Sequence, residues 1–162
     1  MNLQNKKNED FIVVYNKYVD TVYRVCYMYY KNKSDTEDAV QTTFIKLLET
    51  DKTFNDLEHI KAWLIVTASN ICKNSLKHWY RRLISLNSIE DELESKENFS
   101  NLLESVLKLP TKYKIIIYMY YYEGYNSREI AKLLNKNEST IRTYLKKGRE
   151  LLKDNLGGLN EK

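Results

Sequence analysis

The pattern of apolar and polar positions is helical along most of the chain. From Phe11 the apolar residues fall at Phe11, Val14, Tyr15, Tyr18, Val22, Val25, Cys26 and Tyr29, the i, i+3, i+4, i+7 stripe of an amphipathic helix. Ser34-Asp35-Thr36-Glu37 reads as a capping box, with the Ser34 hydroxyl accepting from the Glu37 amide and the Glu37 carboxylate reaching back. It introduces a second stripe at Ala39, Val40, Phe44, Leu47 and Leu48. Periodicity is lost from Thr50 to His59, where Asp51, Thr53, Asn55 and Asp56 gather, so this stretch is a connecting loop. A third helix follows. It carries Ile60, Trp63, Leu64, Thr67 and Ile71 on one face, and Asn70, Lys73, Asn74 and Lys77 at the same spacing on another.

Beyond Arg82 the composition changes. Ser88 to Ser105 holds Glu90, Asp91, Glu92, Glu94, Glu97 and Glu104 against Lys96 alone, which reads as an acidic tether. Helical pattern resumes near Phe99 and breaks at Leu109-Pro110, and Pro110 is placed to open the next helix, with apolar positions at Tyr113, Ile116, Ile117, Tyr120 and Tyr121. The resulting division is a first domain over 1–83, a linker over 84–98 and a second domain over 99–162.

The last third has the spacing of a helix-turn-helix. Asn126 caps a short helix with Glu129 three positions on, and Asn135-Lys136-Asn137 interrupts it before a second helix begins at Glu138. Two helices that cross tightly need a small residue in the first, here Ala131, and a branched apolar anchor in the second, here Ile141. Between them must stand a residue that tolerates positive φ, and Asn135 is the best choice after glycine. The segment 126–153 is basic, with Arg128, Lys132, Lys136, Arg142, Lys146, Lys147, Arg149 and Lys153 against three glutamates. The second helix would enter the major groove with Ser139, Arg142, Thr143, Lys146 and Lys147 facing outward. Arg142 suits base reading, since a guanidinium donates two bonds to guanine O6 and N7, while Lys132, Lys146, Lys147 and Arg149 suit phosphates.

Composition narrows the class further. With 4 Gly and 1 Pro in 162 residues there are few turns of the kind that hairpins and phosphate loops require, so the expected fold is all-α. Hydrophobic residues make up 43% of the chain, enough for a real core, and a net charge of +4 permits a nucleic-acid partner without demanding one. Cys26 and Cys72 lie far apart, each inside an apolar helical pattern with no CxxC pair, and read as two reduced, buried thiols. His59 and His78 are the only histidines, and neither a metal set nor a phosphate loop stands near them, so no enzyme, metal or cofactor is expected. No leader-like or spanning apolar run occurs, which points to a cytoplasmic protein without direct membrane insertion.

Taken over Glu9 to Asn155, the chain resembles an extracytoplasmic-function (ECF) sigma factor, a two-domain promoter-recognition subunit of bacterial RNA polymerase. Ser34 to Leu47 looks like region 2.2, which docks on core RNA polymerase, and the resemblance implies Asp35, Asp38, Gln41 and Thr42 as its contacts. Phe54, Ile60, Ala62-Trp63-Leu64 and Ala68 to Asn74 are similar to regions 2.3 and 2.4, which open the promoter and read the −10 element. That assigns Phe54, Asn55, Asp56, Asn70, Lys73, Asn74 and Lys77 to −10 DNA, with the Thr50–His59 loop as the place where an unstacked base is received. Phe54 is as well placed simply to anchor that loop. Leu109-Pro110, Tyr121 to Tyr125 and Glu129 to Leu145 look like region 4, the −35 reader, implying Ser139, Thr140, Arg142, Thr143, Lys146, Lys147 and Arg149 as promoter DNA contacts. The pattern departs at Asn135, where glycine is usual, at Lys136, where an apolar residue is usual, and at Gly148, where alanine is common. The resemblance also implies an anti-sigma factor as a partner. A free-standing helix-turn-helix regulator is the other reading, and it would need a dimerisation or effector domain in the first half.

Overall fold

The computed structural model describes the backbone of residues 3–86 and 105–160 and the side chains of 8–77 and 105–154. The chain divides into two units, Met1–Glu94 and Ser95–Lys162. Every described element is helical, as the scarcity of turn residues implies.

Three helices build the first unit: α1 (Leu3–Tyr30), α2 (Lys33–Glu49) and α3 (Leu57–Leu86), each packed against the other two. The α1 stripe is buried at Val14, Tyr18, Val22, Val25, Cys26 and Tyr29, whereas Tyr15 is partly exposed and lies against Phe44 of α2 at 4.8 Å between ring centroids. Tyr18 donates to the Leu57 carbonyl at 3.1 Å, and the Tyr29 hydroxyl meets Ser69 Oγ at 2.6 Å, so hydrogen bonds as well as apolar contacts hold α1 to α3. Cys26 and Cys72, separated in sequence, meet there, and the hydrogen bond with Cys26 together with burial raises the Cys72 thiol far above its ordinary range.

Two local readings change. The cap of α2 is not Ser34 with Glu37 but Asn32 with Asp35: Asn32 Oδ1 accepts the Asp35 amide at 2.9 Å and Asn32 Nδ2 donates to Asp35 Oδ2 at 2.9 Å. The helix starts earlier because Lys31 turns the chain sharply at φ 60°, leaving Asn32 extended and free to cap. Along α3 the fully buried line is Leu64, Ile65, Ala68 and Cys72, rotated from the expected Trp63, Thr67 and Ile71, which are half-buried. Trp63 turns instead toward the preceding loop. The backbone stays helical to Leu86, past the boundary read at 83, and most of the acidic linker lies outside the described residues.

In the second unit a helical turn at 105–107 and Pro110 lead into α4 (Thr111–Ile117), which continues as a π-helical turn over Tyr118–Tyr122. Pro110 stands just outside α4 as its cap residue and opens the helix at Thr111. The π turn carries the Glu123 amide to the Tyr118 carbonyl at 3.2 Å. The extra residue it accommodates rotates Tyr120 and Tyr121 into solvent, although a regular helix would have kept them in line with Tyr113 and Ile117. Two more helices, α5 (Ser127–Leu134) and α6 (Glu138–Asn160), complete the unit.

Candidate nucleic-acid interface

The turn between α5 and α6 is built as its residues require. Asn126 Oδ1 accepts the Glu129 amide at 2.9 Å and its Nδ2 donates to Glu129 Oε1 at 2.8 Å, which fixes the start of α5. Asn135 ends it in the left-handed region at φ 54°, ψ 50°, and the Lys136 amide returns to the Ala131 carbonyl at 2.9 Å. Ile130, Ile141 and Leu145 are buried between the helices, and Ala131 lets them approach. Lys136 is exposed, so the turn tolerates a charge where an apolar residue is usual.

With Ile141, Leu145 and Leu152 turned inward, helix geometry sorts the outward residues of α6 into two flanks. Ser139, Arg142, Lys146 and Arg149 form one ridge, with Thr143 beside it. Lys147 lies on the other flank together with the half-buried Thr140. Lys153 prolongs the ridge: Arg142, Lys146, Arg149, Glu150 and Lys153 line one open groove. From Arg142 to Lys153 the ridge spans roughly 16 Å at 1.5 Å per residue. Lys153 was missed as a site residue, though its four-residue spacing from Arg149 was visible. Arg142 Nη2 pairs with Glu138 Oε1 at 2.6 Å, and Ser127 Oγ donates to the same oxygen at 3.4 Å.

The first unit presents two further faces. Asp35, Asp38, Gln41 and Thr42 are all exposed on one side of α2, and Asp35, Asp38 and Thr42 border a recess closed by Tyr30, Ile71 and Ser75. Burial, partly offset by a hydrogen bond to Ser75, pushes the Tyr30 hydroxyl up to about 12. Ile45 stands on the same side of α2 with half its surface exposed, and Leu48, expected in the core, is exposed at its edge. Leu48 was read as core, because an apolar residue at helical spacing reads so until the neighbouring helices are placed, and Ile45 carried no reading of its own.

On α3, Asn70, Asn74 and Lys77 are exposed and Lys73 is half-buried, all on one face. The loop before α3 is held by contacts of its own side chains. Phe54 packs edge-on against His59 at 5.2 Å and Trp63 at 5.6 Å, so it anchors the loop to α3. Asp56 Oδ1 accepts the His59 amide at 2.8 Å and thereby caps α3, and the Asn55 amide donates to His59 Nδ1 at 3.2 Å. Of this group only the Asn55 side chain stands exposed without a hydrogen bond of its own described.

The Sigma-70 region 2 family model matches residues 14–82 and the Sigma-70 region 4 model matches residues 99–152. The chain is 30% identical over 138 residues to the RNA polymerase sigma factor SigV of Bacillus subtilis, covering 81% of each chain. It is 25% identical over 177 residues to the ECF RNA polymerase sigma factor SigW of the same organism, covering 96% of this chain and 95% of that one. A solved structure of the sigma factor RpoE from Bartonella quintana, in complex with the anti-sigma factor NepR, shares its fold with a TM-score of 0.71 at 15% identity, over 94% of this chain and 97% of that chain. A first half matched by region 2 does not favour a free-standing regulator. The chain therefore belongs to the ECF RNA polymerase sigma factors, the promoter-specificity subunits that bind core RNA polymerase and direct transcription initiation.

Proposed function

We propose that this sigma factor divides its work among three helical faces. The α2 face of Asp35, Asp38, Gln41 and Thr42 docks on core polymerase, its carboxylates seeking basic side chains while Ile45 and Leu48 add apolar contact. The α3 face of Asn70, Lys73, Asn74 and Lys77 receives the −10 strand. The α6 ridge reads the −35 element, with Arg142 on a base edge and Lys146, Arg149 and Lys153 on phosphates. Phe54 and Asp56 act indirectly by holding the loop in which Asn55 is presented. The protein performs no catalysis and works in the cytoplasm beside polymerase, where an anti-sigma factor restrains it as the Bartonella relative's complex suggests.

The observation that carries this reading is the exposed Arg142–Lys153 ridge on the second helix of a helix-turn-helix closed by a left-handed Asn135. Run-off transcription with purified core polymerase on genomic fragments tests it. Discrete promoter-specific transcripts should appear only when the protein is added. Their absence, together with tight binding of the protein alone to a palindromic site, would instead favour a dimeric regulator.

A further inference from the structure

Arg142 is not a free cation waiting for DNA. Its Nη2 donates to Glu138 Oε1 at 2.6 Å, and Glu138 is itself held from the other helix of the motif by Ser127 Oγ at 3.4 Å. The Glu138 side chain is about one-third exposed and that of Arg142 about two-thirds. The carboxylate is thus seated between the two helices while the guanidinium projects from it. A guanidinium on three methylenes at an exposed helix face ordinarily samples many rotamers, and freezing it on a base edge costs entropy at the moment of binding. A carboxylate that occupies one side of the guanidinium removes much of that freedom beforehand and leaves the remaining N–H groups to face outward. It also adds a negative charge next to DNA, which works against affinity.

From this geometry we infer that Glu138 is a positioning residue for −35 recognition: it aims Arg142 at one base pair, increasing discrimination there at the expense of overall affinity. The inference rests on Arg142 being the base reader. Glu138 touches neither base nor phosphate in this role. Its effect passes through the Arg142 guanidinium, and Ser127 is the second anchor that keeps the carboxylate in place.

The test uses holoenzyme reconstituted from core polymerase and full-length protein, on four promoters that differ only in the base pair that Arg142 reads. That position is found first as the one where Arg142→Ala flattens the preference. Glu138→Ala should lower discrimination at it by about three- to ten-fold, part of what a bidentate base contact supplies, while binding to the disfavoured promoters stays equal or tightens. Glu138→Gln, which keeps an acceptor but loses the charge, should recover part of the discrimination. In the Arg142→Ala background Glu138→Ala should change that position no further. Glu138→Ala with undiminished discrimination, or with an equal loss on all four promoters, would overturn the positioning role while leaving Arg142 as reader. Should Arg142→Ala flatten no position at all, the base-reader assignment fails and the positioning role falls with it.

Discussion

Lys31 shows how much one backbone angle can matter. It is the residue after α1, its amide bonds to the Tyr27 carbonyl at 2.9 Å, and its φ of 60° lies where a side chain costs energy and glycine does not. Lys31→Gly should therefore stabilise the first unit by about 0.5–1 kcal/mol, read as a rise in the urea midpoint at constant slope. A neutral or negative effect would mean that the lysine stem contributes packing that outweighs the relief. Cys26 and Cys72 are the opposite case, residues whose chemistry is silenced by position. Both are buried, and the Cys72 thiol is raised far above the ordinary thiol range. Neither should react with a maleimide in the folded protein at neutral pH, and both should react at once in denaturant. Rapid labelling under native conditions would show that α1 and α3 separate readily.

At the scale of elements, Gly148 sets how closely α6 approaches α4. A Cβ built there would lie 2.6 Å from Ile117 Cδ1 and 2.7 Å from its Cγ1, and Ile117 is wholly buried. Alanine favours a helix by about 1 kcal/mol over glycine, but overpacking of this kind costs about 1–3 kcal/mol. Gly148→Ala should thus lower the stability of the second unit by about 1 kcal/mol, and adding Ile117→Val should recover part of it. Thermal melts of the two variants check this. The α2 face makes a functional prediction at the same scale. Asp38→Arg should abolish association with core polymerase while helicity is retained, and Leu48→Ser should weaken it by about 1–2 kcal/mol if its exposed side chain is buried on docking. Co-purification of Asp38→Arg with polymerase at the normal level would remove α2 from the interface.

For the whole molecule, pH and DNA binding are the accessible tests. Burial raises Tyr29 and Tyr30 above the ordinary tyrosine value of 10.0, and the hydrogen bond with Cys26 together with burial raises Cys72 above the ordinary thiol value of 9.0. Above about pH 9 the unfolded chain therefore releases protons that the folded one keeps, and the sign of the linkage is a loss of stability as pH rises. The first unit should lose stability from about pH 9 upward, as urea titrations at several pH values would show. The free protein should bind duplex promoter weakly. The α6 ridge offers a handful of phosphate contacts, and the α3 face needs a strand already unpaired. Attachment to polymerase fixes their spacing and makes the second contact intramolecular, raising effective concentration without any new contact. A labelled promoter titrated at fixed moderate salt, with and without core polymerase, measures the difference. Tight, specific binding by the protein alone would contradict it.

What the sequence determined by itself was everything that depends on local spacing. The Asn126–Glu129 cap, the left-handed Asn135 and the Ala131–Ile141 pairing are all short-range consequences of side-chain chemistry, and each stands as read, as do the helices, though not every buried face, that the amphipathic stripes predict. The basic ridge was legible in part, since a helix repeats its faces regardless of what it packs against: Arg142, Lys146 and Arg149 share it, whereas Lys147 falls on the other flank and Lys153 joins it. Tertiary structure decided which of two adequate solutions was used and which face met a neighbour. Ser34 and Asn32 are comparable caps, and only the turn at Lys31 selected Asn32. Leu48, Tyr120 and Tyr121 are apolar at helical spacing yet exposed, because exposure follows from where the neighbouring helices lie and, at the tyrosines, from a π turn that shifts the register. The packing of the Phe54 ring on His59 and Trp63 is also a tertiary matter, while the Asp56 carboxylate caps α3 through the His59 amide. Likewise the meeting of Cys26 with Cys72 is a contact between helices, which no periodicity within either helix encodes.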